Sequence, residues 1–517
     1  MRENETYRYD SRALSSGGTR WAEDEEIRNA LSEIDLGAER YDACGIPLVS
    51  TGNRAYVDDS DNHTLILGST GSKKTRLLIM PAMNIIAKAG ESVICTDPKG
   101  ELYQRTAGLF EQEGYRILVL NLRDPEHSNG WSPLHLATEY MREGSPDKAY
   151  ELLGDLAASL FPYSKHMDRF WPDTSRALFT GLAGLLVERP DAFEPYSLFT
   201  MQDLLNMIKE PDDQYGDFPS ILKRYPEESQ ARQAIRTAVA GSEKTFSNIS
   251  VSYRAGVQVL YSRETLTQVL STPDIRFETL GKEKTALFII MPDEKTTLHP
   301  IVSLIIKQCY ERLIHAAQNC EGQTLPIRVN FMLDEFSNLP TIADMSSMIS
   351  AARSRNIRFT LVVQSINQLV SKYEEDAFTI RGNCNNWVFL TSRELAMLME
   401  ISELCGESNR TGERLISVSQ LQRLNKQAGE ALILNGRNYP YITNLADIDD
   451  YCFPRLPAPP LPVLKMEPHK ALVPTMVCNK LDRKPVNPEL TEDVEAKVRQ
   501  LLVDTPVKYD WDSGDEP

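Results

Sequence analysis

The sequence lacks the features that would put it across a membrane or tie it together with covalent or metal bridges. No run approaches eighteen consecutive apolar residues, and the opening MRENETYRYDSR has no apolar centre, so neither a transmembrane helix nor a signal peptide is expected. The eight cysteines stand singly with no C-x-x-C pair, which speaks against a zinc site or disulfide framework and for a reducing, cytoplasmic compartment. Seven histidines are dispersed without ligand spacing, and no Ser-His-Asp or Cys-His signature is present. Internal repeats are missing too. Basic residues are in deficit, 56 Lys and Arg against 73 Asp and Glu. The net charge of −17 argues against a broad nucleic-acid-coating surface and leans towards a protein partner. It leaves room for nucleic acid gripped by a few local residues.

With 41% apolar and 25% charged residues, the 517-residue chain has the composition of an ordinary globular protein. Its length allows two to four domains on the usual scale of about 100–200 residues each. Short β-branched runs alternate with helical patterns: TLIL (64–67), SVICT (92–96) and ILVLNL (117–122), then ALFIIM (286–291), VNFML (329–333), RFTLVV (358–363), WVFLT (387–391) and ALIL (431–434). Their near-continuous apolarity predicts strands buried on both faces of a mainly parallel sheet. Helices fit at 74–88, 98–113, 298–318 and 341–355, so the class is α/β with crossovers. Residues 135–275 hold no convincing strand and predict an inserted all-α domain. From Pro454 the proline-rich FPRLPAPPLPVLKMEP suits neither regular element; it reads as a tether packed along the domain or an extended partner-binding segment. A short helix is expected at 490–503, before a loose acidic end.

LILGSTGSKKTRLL (65–78) has the setting of a phosphate-cradling loop: an apolar strand, small residues, then a helix starting near Lys74. Aligned on G-x-x-x-x-G-K-[ST], the loop comprises Gly68, Ser69, Thr70, Gly71, Ser72, Lys73, Lys74 and Thr75. Lys74 would reach β/γ-phosphates and Thr75 would ligate magnesium. Lys73 stands where the second glycine belongs, and its side chain either points outward or crowds the phosphates. FMLDEFSNLP (331–340) ends an apolar strand in two carboxylates: Asp334, placed to hold magnesium, and Glu335, placed to orient or deprotonate attacking water. No metal other than magnesium is expected.

Taken in order, CTDPKGELYQ (95–104), RFWPDTSRAL (169–178), GSEKTFSNI (241–249), LDEFSNLP (333–340), LVVQSINQL (361–369) and IRGNCNNWVFL (380–390) resemble the TraG-type coupling proteins of type IV secretion and conjugation systems. The resemblance covers about residues 16–450. It implies a RecA-like P-loop NTPase domain (61–134 and 276–452) interrupted by the all-α domain (135–275), with an N-terminal segment (1–60) and a C-terminal tail (453–517). It further implies Gln364 as γ-phosphate sensor and Arg353, or its near neighbour Arg355, as an arginine finger supplied to the next subunit. Asp97 and Lys99 either line the nucleotide crevice or fix their own turn.

The cofactors so implied are ATP and Mg2+, and the assembly a homo-hexameric ring at the cytoplasmic face of the cell membrane. The function implied is ATP-driven delivery of DNA with its attached relaxase to the secretion channel. Two alternatives remain: protein effectors as cargo, or a recruitment platform that binds nucleotide weakly because of Lys73. The family's N-terminal membrane helices are not among the roughly sixty residues before the phosphate loop, so membrane contact is expected through a partner, or the anchor has been lost or truncated.

Overall fold

Alternate residues of the central strands face opposite ways, and both faces are buried. In a computed structural model the side chains of Leu65, Leu67, Ile94, Phe331, Leu333, Leu361 and Val363 enter one hydrophobic cluster. Those of Ile66, Val93, Cys95, Met332 and Val362 enter a second. This period of two is the geometry of a strand. Residues 18–465 are described, apart from 52, 164–167, 189–225, 240–241, 278 and 295. The predicted helix at 490–503 and the acidic end lie outside them.

The strands are β1 (Ser32–Asp35), β2 (Pro47–Ser50), β3 (Arg54–Val57), β4 (Thr64–Leu67), β5 (Ser92–Asp97), β6 (Arg116–Asn121), β7 (Thr285–Ile290), β8 (Val329–Leu333), β9 (Ile357–Val363), β10 (Asn386–Phe389), β11 (Glu430–Asn435) and β12 (Tyr441–Asn444). Nine of these form one sheet in the order β12-β11-β10-β4-β9-β8-β5-β7-β6. Pairing is parallel from β10 through to β6. The run ALIL is where the mainly parallel sheet departs from parallel pairing: β11 pairs antiparallel with both β10 and β12. A tight connection at Gly436 and Asn438 returns the chain directly, where a parallel neighbour would need a crossover.

Helices α1 (Asp24–Ala30), α2 (Met80–Ala89) and α3 (Glu101–Gln112) belong to the first third of the chain. Between β6 and β7 the described residues carry helices and no strand: α4 (His135–Arg142), α5 (Pro146–Leu160), α6 (Phe170–Val187), α7 (Gln230–Val239), α8 (Glu243–Val257) and α9 (Glu264–Val269). Then follow α10 (His299–Gln318), α11 (Met345–Ala352), α12 (Ile366–Tyr373), α13 (Asp376–Gly382), α14 (Leu395–Leu404) and α15 (Val418–Leu421). In the RFWPD stretch, Phe170 is exposed while Trp171 packs against the core. No helix among the described residues is long and apolar enough to cross a membrane.

Of two further features, the sheet ahead of the phosphate loop went unforeseen, whereas the proline-rich tether packs along the domain as expected. The N-terminal segment folds into a three-stranded antiparallel sheet, β1-β3-β2, whose Ile34, Leu48, Ala55 and Val57 join the second cluster. The described part of the proline-rich segment lies along α3: the Tyr103 hydroxyl donates to the Pro459 carbonyl at 2.8 Å, and Leu456, Ala458 and Leu461 pack on the core.

Candidate nucleotide site

Strand order decides what meets at the carboxyl edge. β9 lies between β4 and β8, with Leu67 opposite Val363 and Leu333 opposite Leu361. The phosphate loop after β4, Gln364 after β9 and the acid pair after β8 therefore emerge side by side, at the edge where open α/β sheets bind ligands. The loop is rooted by backbone hydrogen bonds from Gly68 to Val363 (3.3 Å) and from Ser69 to Thr391 (2.8 Å). A Cβ on Gly68 would stand 2.6 Å from Ser72 Oγ, so this position tolerates only glycine without rearrangement. Lys74 is the first residue with helical dihedrals, and Thr75–Ile79 form one turn of π-helix before α2. Such turns often occur at functional sites.

The side chains converge. Lys74 is buried, its ammonium donating to the carbonyls of Gly68 (2.7 Å) and Ser69 (3.2 Å) across the loop. Burial lowers its pKa, opposed by the nearby carboxylates of Glu335 and Asp334. Thr75 Oγ1 donates to Asp334 Oδ2 at 3.0 Å. Asp334 is 4% exposed, and burial together with the neighbouring Glu335 charge raises its pKa to about 6, against the pull of Thr75 and Lys74. Gln364 bridges two of these groups: Thr70 Oγ1 donates to its Oε1 (2.9 Å), and its Nε2 donates to Glu335 Oε2 (2.5 Å). Asn338 holds the same Glu335 oxygen at 3.0 Å. Glu335 sits at φ 55°, a strained left-handed position for a non-glycine residue of the kind that gathers at functional sites.

The residues present suit a magnesium–triphosphate. Ser72 Oγ is buried in the loop with no hydrogen-bond partner among the described residues. A hydroxyl and a carboxylate already in contact, Thr75 and Asp334, are hard oxygen donors of the type magnesium takes. Lys73 has φ 67°, which is why the motif calls for glycine here; its side chain turns out of the loop, its ammonium 3.7 Å from Asp447 Oδ2. Of the two alternatives for this residue, it points outward.

Not every expected residue joins the site. Arg353 stands before β9 at the opposite edge of the sheet, exposed, and its guanidinium makes no hydrogen bond or ion pair among the described residues. Arg355 is committed to Gln323, at 3.0 Å to its carbonyl and 2.9 Å to its side-chain oxygen. Asp97 fixes its own turn: it is buried and accepts from the Tyr103 backbone at 2.9 Å, with further backbone donors at Lys99, Gly100 and Leu102. Lys99 is exposed. Asp447 and Arg76 were not anticipated; only a contact between distant chain segments reveals them. No cluster of three or more metal-ligating side chains occurs among the described residues.

The sequence matches the model of the family described as "Type IV secretory system Conjugative DNA transfer" over residues 20–427. The chain belongs to this family. It is a type IV coupling protein of conjugative DNA transfer. Among curated relatives, conjugal transfer protein TraG of Escherichia coli is 27% identical over 481 residues, spanning 86% of this coupling protein and 71% of TraG. Protein VirD4 of Rhizobium radiobacter is 25% identical over 411 residues, 76% of this chain but only 55% of VirD4. Among solved structures, plasmid coupling protein TrwB in complex with the non-hydrolysable ATP analogue ADPNP aligns with a TM-score of 0.60 at 16% identity, covering 87% of this chain and 97% of TrwB. TrwB in complex with ADP and Mg2+ aligns equally well, with a TM-score of 0.60 at 17% identity. These likenesses show the fold, a RecA-like α/β sheet.

Proposed function

We propose that this coupling protein is an ATPase that recruits DNA with its attached relaxase and drives it into a type IV secretion channel. The observation that carries the reading is the meeting of Lys74, Thr75, Asp334, Glu335 and Gln364 at the ends of three adjacent parallel strands. Complexes of TrwB with an ATP analogue and with ADP and Mg2+ support it. Residues 61–134 and 276–452 form the nucleotide-binding domain, with 135–275 inserted for cargo, 1–60 as a lead-in and 453–517 as a tail.

Backbone amides of residues 68–75 and the Lys74 ammonium hold the phosphates, while Thr75 and Asp334 hold Mg2+. When bound, the metal supplies positive charge to the terminal phosphates. Glu335 orients the attacking water and takes its proton. Gln364 ties that carboxylate to Thr70, so a shift of the loop on γ-phosphate loss moves Glu335 as well. Arg353 is too far from its own site and serves the neighbouring subunit of a homo-hexameric ring at the cytoplasmic face of the membrane.

A protein cargo is favoured by one observation, the net charge of −17, which is poor for a DNA channel. Against a weakly binding platform stands the outward path of Lys73. The test is Mg-dependent ATP hydrolysis by the purified chain with and without single-stranded and duplex DNA. DNA is expected to stimulate turnover, and Lys74→Ala to reduce it by about two orders of magnitude. Turnover that survives Lys74→Ala would refute the site; stimulation by a secreted protein but not by DNA would decide for protein cargo.

A further inference from the structure

The phosphate loop departs from its motif at Lys73, and the compensation lies almost four hundred residues along the chain. In the antiparallel edge, Glu430 pairs with Asn444, which brings the end of β12 to the carboxyl edge beside the phosphate loop. There the backbone turns through Asp447–Asp450. This turn is tied down: Leu445 N–H donates to the Gly429 carbonyl (2.9 Å), Ala446 N–H to Ser50 Oγ (2.9 Å), and Asp447 and Asp450 close a reciprocal cap.

Asp447 faces two cations three residues apart in the chain, one in the loop and one in the first turn of the helix. Arg76 Nε donates to its Oδ2 at 3.0 Å, a second Arg76 nitrogen bonds Oδ1, and Arg76 also reaches Asp449. The Lys73 ammonium completes the cluster at 3.7 Å. Asp447 is only 19% exposed, so its carboxylate is held in place rather than free to move. Burial opposes its ionisation, but Arg76, the turn amides and Lys73 hold its pKa below the ordinary value.

We propose that Asp447 is a positioning residue that does for this loop what glycine does in the usual motif: its ion pair with Lys73 holds residue 73 in the left-handed conformation that aims the loop amides at the phosphates. Glycine adopts that conformation without steric cost, whereas a lysine needs an external reason to stay there. Arg76 keeps the carboxylate aligned from the first turn of the following helix. The inference rests on the nucleotide-site reading above.

Two measurements test it and separate its failure from failure of that reading. The first is the Kd of Mg-ATP for four proteins: the unaltered chain, Asp447→Asn, Lys73→Gly, and the two changes combined. Asp447→Asn is expected to weaken binding about tenfold, because the loop must be re-formed at each binding event. Adding Lys73→Gly should bring affinity back to within about twofold of the unaltered chain, since glycine needs no tie. A general electrostatic role would tighten binding of the anion in Asp447→Asn, and a merely structural role would weaken it equally with either residue at 73; each result overturns the proposal. The second is a urea-unfolding cycle on the same four proteins without nucleotide. Non-additivity between positions 73 and 447 is expected there, and strict additivity refutes the tie. If the unaltered chain binds no Mg-ATP, the nucleotide reading falls, while this cycle still decides whether the two residues are coupled.

Discussion

Asp334 is almost wholly removed from water, hydrogen-bonded to Thr75 and adjacent to the Glu335 carboxylate, and its pKa is raised to about 6. The consequence for stability has a definite sign. An aspartate in the unfolded chain titrates near pH 4, so between about pH 4 and 6 the folded protein holds a proton that the unfolded chain has lost. Stability therefore falls as pH rises through this window, by up to about 3 kcal/mol for a shift of two units. Asp334→Asn should recover much of that at pH 7.5 and nothing at pH 4, as read by urea unfolding, while abolishing Mg-dependent hydrolysis. No gain in stability at pH 7.5 would count against the buried charge. Much of this site was legible in the sequence, because Asp334 and Glu335 follow directly on one apolar run, and Lys74 and Thr75 close the small-residue loop that follows another. The Gln364–Thr70 bridge and the Asp447–Lys73 pair were not, since both join residues hundreds of positions apart that no local pattern relates.

The strands that carry the site came out of the sequence nearly residue for residue, for example Thr64–Leu67 and Val329–Leu333, because burial on both faces leaves an unbroken apolar run. β1 to β3 were missed: each has four residues, and in SEID exposed and buried positions mix without a run. Likewise the path of the proline-rich segment depended on a helix far upstream. Gly108 lies within α3, and a Cβ there would stand 2.4 Å from the Pro457 carbonyl. On an open helix face Gly→Ala stabilises by about 1 kcal/mol. Here the clash is with backbone and wins, so Gly108→Ala is expected to destabilise by about 1–2 kcal/mol instead. It should also speed tryptic cleavage after Arg455, as the segment lifts from the helix. A stabilising effect with unchanged cleavage would contradict the packed path.

Across the whole molecule, the distance between Arg353 and Gln364 sets the terms. The seven residues of β9 separate the two ends, on the order of 20 Å at the usual rise per strand residue. An arginine finger at Arg353 thus acts only between copies. Arg353→Ala should leave Mg-ATP affinity unchanged and lower turnover by about a thousandfold. Mixing Arg353→Ala with Lys74→Ala protein should restore part of the turnover, because some interfaces then combine an intact finger with an intact loop. Absence of restoration in a confirmed mixed assembly would exclude action between subunits. The helices between β6 and β7 are themselves fastened to those that flank the sheet. The buried Lys307 ammonium on α10 lies 2.9 Å from Asp155 on α5 and 2.8 Å from Asp344, which precedes the α11 helix leading to Arg353.

The sequence by itself determined the eight apolar strands β4 to β11, four of the helices packed between them, the glycine-containing loop at 68–75 and the acid pair, because each is encoded by neighbours within a dozen residues. Its ordered motifs also determined the family. Only the tertiary structure decided that β9 separates β4 from β8, that Arg353 lies at the far edge, and that Lys73 turns towards Asp447. These are relations between segments brought together by sheet pairing and burial, and the local run of side chains does not carry them.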